Sequence, residues 1–182
     1  MKETIRIIGG QYRGKKLHFP TIDGLRPTPD RVRETLFNWL MHSIRNARCL
    51  DAFAGSGALG FEALSRYADK VVLIEKDPTA YANLKKIAES FKSPKLTVTK
   101  SDAISFINQT KEQFDIVFLD PPFAHPQLLE CIDILATADV LVVGGLLYIE
   151  SPQAPVLNPE HWELLKSKQA GQVFYGLHKR IK

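Results

Sequence analysis

Between residues 49 and 150 the chain repeats one pattern: a short run of branched and aromatic residues, then a longer segment with apolar positions at three- and four-residue steps. The runs fall at 49–53, 70–75 (KVVLIE), 95–100 (KLTVTK), 114–120 (FDIVFLD) and 145–150 (GLLYIE), and the amphipathic segments at 57–67, 78–91, 103–109 and 126–136. Strands that alternate with helices pair in parallel, because each helix returns the chain to the same end of the sheet, and helices then cover both faces. The expected fold class is α/β and Rossmann-like. Asp77 before Pro78 marks one helix start, with Tyr81, Leu84, Ile87 and Phe91 as the buried stripe behind it.

The flanks read differently. Residues 4–8 (TIRII) and 15–19 (KKLHF) surround GGQYRG, which predicts a β-hairpin ahead of the main core. We take 1–182 as one domain, with 1–25 as a basic N-terminal extension. In GLRPTPDRVRETLFNWL, Thr28 is placed to cap a helix, Pro29 to occupy its first position and Asp30 its first turn. Val32, Leu36, Trp39, Leu40 and Ile44 would face the core and leave Arg31, Arg33 and Arg45 largely outside it. Near the end, WELLKSKQ and QVFYGLHK flank Ala170 and Gly171, which predicts a closing antiparallel hairpin on the sheet's edge.

A chain of 182 residues at 45% apolar composition suits one compact core. Its longest apolar runs, such as Val71 to Ile74 and Val140 to Val143, are far too short to cross a bilayer, and MKETIRIIGG lacks the apolar core of a signal peptide. The expectation is a cytoplasmic protein with no membrane partner. Cys49 and Cys131 lie far apart with no Cys or His at ligand spacing, which argues for two buried thiols and no metal. The net charge of +4 is unevenly spread, since the first fifty residues carry ten Lys/Arg against four Asp/Glu. Either the N-terminal segment meets a polyanion or it presents a solvated basic face.

In a doubly wound sheet, ligands bind beyond the carboxyl ends of the strands. The first strand ends in DAFAGSGALG, where Gly55, Gly57 and Gly60 spell G-x-G-x-x-G; the second ends in Glu75, the third in Ser101 and Asp102, and the fourth in Asp120, Pro121, Pro122 and Phe123. Gly55 and Gly57 let the backbone approach a ligand closely, and Glu75 is placed to accept hydrogen bonds from ribose hydroxyls. To this point a nicotinamide dinucleotide and another adenosine-bearing ligand fit equally well.

The fourth strand end separates them. An exocyclic base nitrogen is a poor nucleophile because its lone pair is delocalised into the ring. The Asp120 carboxylate and the Pro121 carbonyl, on a loop stiffened by the proline pair, can accept hydrogen bonds from its two protons and aim the lone pair at a methyl donor. Phe123 would stack on a base taken out of its helix. Such a reaction needs neither a metal nor a covalent intermediate.

These residues, from DAFAGSGALG through Glu75 and Asp102 to DPPF, resemble the class I S-adenosylmethionine-dependent methyltransferases that modify amino groups of nucleic acids. More narrowly, RIIGGQYRGKKL, GLRPTPDRVRETLFNWL and DAFAGSGALGFEALSR resemble the RsmD family, bacterial guanine-N2 methyltransferases of 16S ribosomal RNA. The likeness runs from about Arg6 to QVFYGL. It implies a seven-stranded, mostly parallel sheet, S-adenosylmethionine as donor, a guanine of 16S rRNA in the small ribosomal subunit or its assembly intermediate as target, and a monomer. By motif position it implies that Asp51, Phe53, Gly55 and Gly57 line the methionine end of the cofactor. Glu75 with neighbouring Lys76 would hold the ribose, and Asp102 and Ala103 the adenine. Asp120, Pro121, Pro122 and Phe123 would form the catalytic loop, and Arg6, Arg13, Lys15, Arg26, Arg31 and Arg33 would meet RNA.

Each residue also has a plainer reading. Asp102 can cap the helix after it, Glu75 can pair with Lys76 or Lys100, and Arg26, Arg31 and Arg33 can pair with Asp30 and Glu34. His125 invites a general-base role, although a methylated amine can release its proton to water. Three other functions fit parts of the pattern: adenine-N6 methylation of DNA, a nicotinamide-dependent reductase, and a non-catalytic ribosome-assembly factor.

Overall fold

The computed structural model describes residues 2–122 and 126–182. A two-stranded antiparallel hairpin, β1 (Lys2–Arg6) and β2 (Lys16–Pro20), precedes helix α1 (Asp30–Trp39). The strand and helix alternation follows: β3 (Arg48–Asp51), α2 (Ala58–Ser65), β4 (Lys70–Glu75), α3 (Pro78–Phe91), β5 (Leu96–Lys100), α4 (Ala103–Gln109), β6 (Phe114–Leu119), α5 (Gln127–Thr137) and β7 (Leu141–Ser151). Strands β8 (Trp162–Ala170) and β9 (Val173–Arg180) close the chain. The main sheet has seven strands in the order β5-β4-β3-β6-β7-β9-β8, parallel from β5 to β7 and antiparallel at both pairings of β9. The sheet, its mostly parallel pairing and the terminal hairpins match the sequence reading.

Period-two alternation divides the core between the two faces. Leu50, Val72, Ile74, Val117, Leu119, Leu147 and Ile149 belong to the cluster that includes Ile107 of α4 and Leu128 and Leu135 of α5. Their neighbours Cys49, Val71, Leu73, Ile116, Phe118 and Tyr148 belong to the cluster built with Leu36 and Leu40, with Phe61 of α2, with Leu84 of α3, and with Ile5, Leu17 and Phe19 of the hairpin. Both cysteines are buried, and burial pushes the Cys131 thiol up to about 12 and the Cys49 thiol higher still.

Two expectations at the start of α1 need correction. Thr28 does not cap the helix: Pro29 holds the cap position with no side-chain cap bond, and the Thr28 hydroxyl instead donates to Asp120 Oδ2 at 3.1 Å. Arg33 does not lie outside the core stripe. It is fully buried, donating from Nε to the Thr28 carbonyl at 3.1 Å and from a terminal nitrogen to the Arg6 carbonyl at 3.0 Å, with further contacts to Asp30 and Glu62. The physical reason is Glu62, an acidic residue on the core-facing side of α2, which demands a buried cation opposite it.

The first strand of the hairpin also stops earlier than the apolar run TIRII suggests. Glu62 accepts from the backbone N–H of Ile8 at 3.0 Å and of Gly9 at 3.1 Å, so both donors are satisfied by a side chain. The hairpin is thereby fastened to α2. Asn83 of α3 adds a bond to the His18 carbonyl at 3.1 Å.

Candidate functional site

The carboxyl ends of β3, β4, β5, β6 and β7 open into one cavity of about 480 Å³, a size suited to a nucleoside-containing ligand. Segment 22–29 forms its opposite wall. Of the residues expected to hold a cofactor, Asp51, Phe53, Gly55, Glu75, Lys76, Asp102 and Ala103 all line it, and so do Asp120, Pro121 and Pro122. Phe123 and His125 lie outside the described residues.

Gly57 is not on the cavity wall and has a different task. It caps α2 in the left-handed region with φ of 83°, and a Cβ there would meet the Phe61 ring at 2.2 Å. The turn that brings Gly55 and Ser56 against the cavity therefore needs a residue with neither side chain nor left-handed strain at position 57.

Glu75 organises the same loop. One carboxylate oxygen accepts from the Gly55 N–H at 2.9 Å and the other from the Asp77 N–H at 2.9 Å. Each oxygen keeps a further lone pair for a ligand hydroxyl. Among the described contacts neither Lys76 nor Lys100 pairs with it, so the plainer ion-pair reading is set aside. Asp77 in turn caps α3 by accepting from Ala80 N–H at 2.8 Å, as Asp-Pro predicts. Asp102 caps α4 through Ser105 N–H at 3.1 Å and accepts from Gln127 Nε2 at 3.2 Å, so it combines a structural task with a place on the cavity wall.

Asp51 is buried at the base of the Gly loop and accepts from Gly60 N–H at 3.0 Å. Burial, reinforced by the charges of Glu75 and Glu150, pushes its carboxyl up to about 7, against the opposing pull of that hydrogen bond. Asp120 at the end of β6 is likewise held well above the usual carboxylate range, first by desolvation and then by Glu150.

Glu150 and Thr28 are the site residues that the sequence reading missed. Glu150 is the penultimate residue of β7, the fifth strand to reach the cavity, and receives the Tyr148 hydroxyl at 2.7 Å. The signal was present in GLLYIE, since it is one more strand end carrying a carboxylate. Thr28 gave no separate signal because Thr before Pro-Asp reads first as a helix cap.

The cavity wall is strongly acidic. Among the described residues it carries Asp23, Asp51, Glu75, Asp77, Asp102, Asp120 and Glu150 against Arg26 and Lys76. That lining favours a cationic ligand and opposes a pyrophosphate. Of the residues expected to meet RNA, Arg26 lies on the cavity wall, while Arg6, Arg13 and Arg31 are exposed on the hairpin and α1. Lys15 sits over the Phe91 ring at 4.9 Å, and Arg33 is enclosed.

The chain matches the family described as "Conserved hypothetical protein 95" over residues 5–179. It is 50% identical over 178 residues to Ribosomal RNA small subunit methyltransferase D of Escherichia coli strain K12, covering 97% of this chain and 90% of the relative. The protein of that name from Haemophilus influenzae is 46% identical over 182 residues, covering 97% of this chain and 94% of its own length. The solved Escherichia coli protein yhhF, described as a putative methyltransferase, superposes with a TM-score of 0.89 at 49% identity, covering 98% of this chain and 99% of its own. With a family match along almost its full length, close relatives and a superposable structure, the chain belongs to the RsmD family of ribosomal RNA small subunit methyltransferases.

Proposed function

We propose that this protein transfers a methyl group from S-adenosylmethionine to the exocyclic N2 of a guanine in 16S rRNA of the small ribosomal subunit or its assembly intermediate. The observation that carries the reading is the joining, in one acidic cavity, of the Gly55 loop, Glu75 and Asp102 with Asp120, Pro121 and Pro122. The residues fit the cofactor: Glu75 offers acceptors for ribose hydroxyls, Asp102 for the adenine amino group, and Asp51 a counter-charge for the cationic methionine end. When bound, that group supplies an electrophilic methyl on sulfur, and the sulfonium becomes a neutral thioether as the methyl leaves.

The chain's own residues prepare the nucleophile. Asp120 and the Pro121 carbonyl accept hydrogen bonds from the two N2 protons and draw the lone pair out of conjugation with the ring. After transfer the methylated nitrogen releases one proton to solvent. The exposed Arg6, Arg13 and Arg31, with Lys15 and Arg26, supply positive charge for the phosphate backbone around the target. The names of the relatives support an rRNA substrate, and the acidic wall argues against a nicotinamide dinucleotide. We place the protein in the cytoplasm, acting as a monomer.

Incubating purified protein with labelled S-adenosylmethionine and small subunits from cells lacking the enzyme should yield labelled N2-methylguanine in 16S rRNA. Label found on adenine, or on DNA alone, would refute this reading. In the same assay Asp120→Ala should abolish transfer while calorimetry shows cofactor affinity largely kept; calorimetry should also show no NADH binding.

A further inference from the structure

Asp120 is not held by its own loop alone. The Thr28 hydroxyl donates to its Oδ2 at 3.1 Å from the segment before α1, 92 residues away in the chain. Strands β6 and β7 pair Leu119 with Ile149, so Asp120 and Glu150 follow side by side at neighbouring strand ends, and both line the cavity. Glu150 is itself buried and fixed by the Tyr148 hydroxyl at 2.7 Å. Two buried carboxyls on adjacent strand ends are accommodated most cheaply with one proton held between them. This placement favours a pair of acids that share one proton beside the point where the target amine must arrive.

We propose that Glu150 is a positioning residue for methyl transfer: braced by Tyr148 and acting together with Thr28, it fixes the orientation and the charge of the Asp120 carboxyl that meets the target amine. This rests on the reading of Asp120 given above and adds the residues that control it. A lone aspartate at a strand end can rotate about two side-chain bonds. One braced from β7 on one side and from segment 22–29 on the other presents its remaining acceptor in a fixed direction.

Among the described residues, the groups that face Asp120 are Glu150 and Tyr148 on β7, Asp51 on β3 and Thr28, with Tyr175 of β9 beside Tyr148. None of these carries positive charge. Burial raises both carboxyls, the charges of Glu150 and Asp51 raise Asp120 further, and the Thr28 hydroxyl opposes the rise by donating to the charged forms. Glu150 and Thr28 thus act on Asp120 in opposite directions, which a purely structural role would not produce.

The test is single-turnover methyl transfer to small subunits at saturating S-adenosylmethionine between about pH 5.5 and 9.5, for wild type, Glu150→Gln, Thr28→Val and Asp120→Asn. The pH midpoint of the rate constant should fall by about one unit in Glu150→Gln, where the like charge is gone, and rise in Thr28→Val, where the donor is gone. The plateau rate should drop by roughly tenfold or more in both, with cofactor affinity by calorimetry within about threefold of wild type. In the cofactor-free Asp51→Asn protein at neutral pH, where Asp51 no longer contributes a carboxyl band, an infrared C=O stretch from a protonated carboxyl should be present and should be lost when Glu150→Gln is added. If Glu150→Gln does not fold, the upward displacement in Thr28→Val and the infrared band of Asp51→Asn decide the matter. Midpoints and plateau rates equal to wild type in the folded variants would overturn the proposal. Should Asp120→Asn transfer methyl normally, the reading of Asp120 itself fails. If Asp120→Asn is inactive while the other two variants behave as wild type, the Glu150 inference alone fails.

Discussion

Arg33 NH1 lies 3.8 Å from Glu62 Oε2, and neither side chain has any solvent exposure. Glu62 also accepts from Ile8 N–H, Gly9 N–H and Arg66 Nε, and Arg33 also donates to the carbonyls of Arg6 and Thr28. The pair therefore joins the hairpin, helix α2 and the segment that carries Thr28 to Asp120. It is an organising contact for the site.

Removing one partner strands the other as a buried uncompensated charge, which costs about 3–5 kcal/mol. Arg33→Ala and Glu62→Ala should each lower stability by that order. At roughly 2–4 °C per kcal/mol for a chain of this size, the melting temperature should fall by about 10 °C. Denaturant unfolding is the measurement. A loss below about 1 kcal/mol in both variants would contradict the role assigned to the pair.

The two glycines of the turn after β3, proposed above to hold the cofactor, should respond unequally. At Gly57 a Cβ meets the Phe61 ring at 2.2 Å and Leu84 at 2.9 Å, with φ of 83°. At Gly55 the nearest atoms are 3.7 Å away on Leu25, and φ is 55°. Gly55→Ala should cost about 1 kcal/mol, the usual strain of a left-handed alanine. Gly57→Ala should cost several times that and weaken cofactor binding at least tenfold by shifting the turn, as read by thermal melting and calorimetry. Equal effects would mean that the collision at Gly57 is relieved cheaply.

Much of this site was legible before the fold was known because its residues follow strand ends, and strand ends were marked by short branched and aromatic runs. Glu75, Asp102 and Asp120 were found that way, Asp51 through the Gly-loop motif, and all four reach one cavity. Glu150 obeys the same rule but stands outside the DPPF and Gly-loop motifs, so no motif drew attention to it. Arg33 was misread because arginine at a helix position flanking the apolar stripe is ordinarily solvated. Its burial depends on Glu62, a long-range partner that local periodicity cannot reveal.

Asp51 links stability to pH. Its carboxyl titrates near 7 in the folded protein but near 3.8 when unfolded, so between those values the folded state holds a proton that the unfolded state has released. The stability this contributes is complete below about pH 4, declines as pH rises and is gone above about 7, a swing of at most about 4 kcal/mol at roughly 1.4 kcal/mol for each pH unit between the two values. Asp51→Asn keeps an acceptor for Gly60 N–H without the charge. Relative to wild type it should therefore gain stability between pH 5 and pH 8. Wild type should gain S-adenosylmethionine affinity as Asp51 ionises, and the same variant should lose that gain. A wild-type to Asn difference that does not change between the two pH values would show that Asp51 is not the group responsible.

The basic hairpin makes its own prediction about salt. If Arg13, Lys16 and Arg31, all exposed on the N-terminal segment, each meet a phosphate, the logarithm of rRNA affinity should fall linearly with the logarithm of salt concentration. Replacing any one of them by Ala should then reduce that slope by about 0.7–0.9. Arg33 is enclosed, with donors already engaged by carbonyls and carboxylates, so its contribution to the slope should be nil even though its loss unfolds part of the protein. Affinities measured below the melting temperature of Arg33→Ala separate the two effects. A slope that is flat for wild type, or that drops for Arg33→Ala as much as for Arg13→Ala, would return the N-terminal cations to an ordinary solvated face.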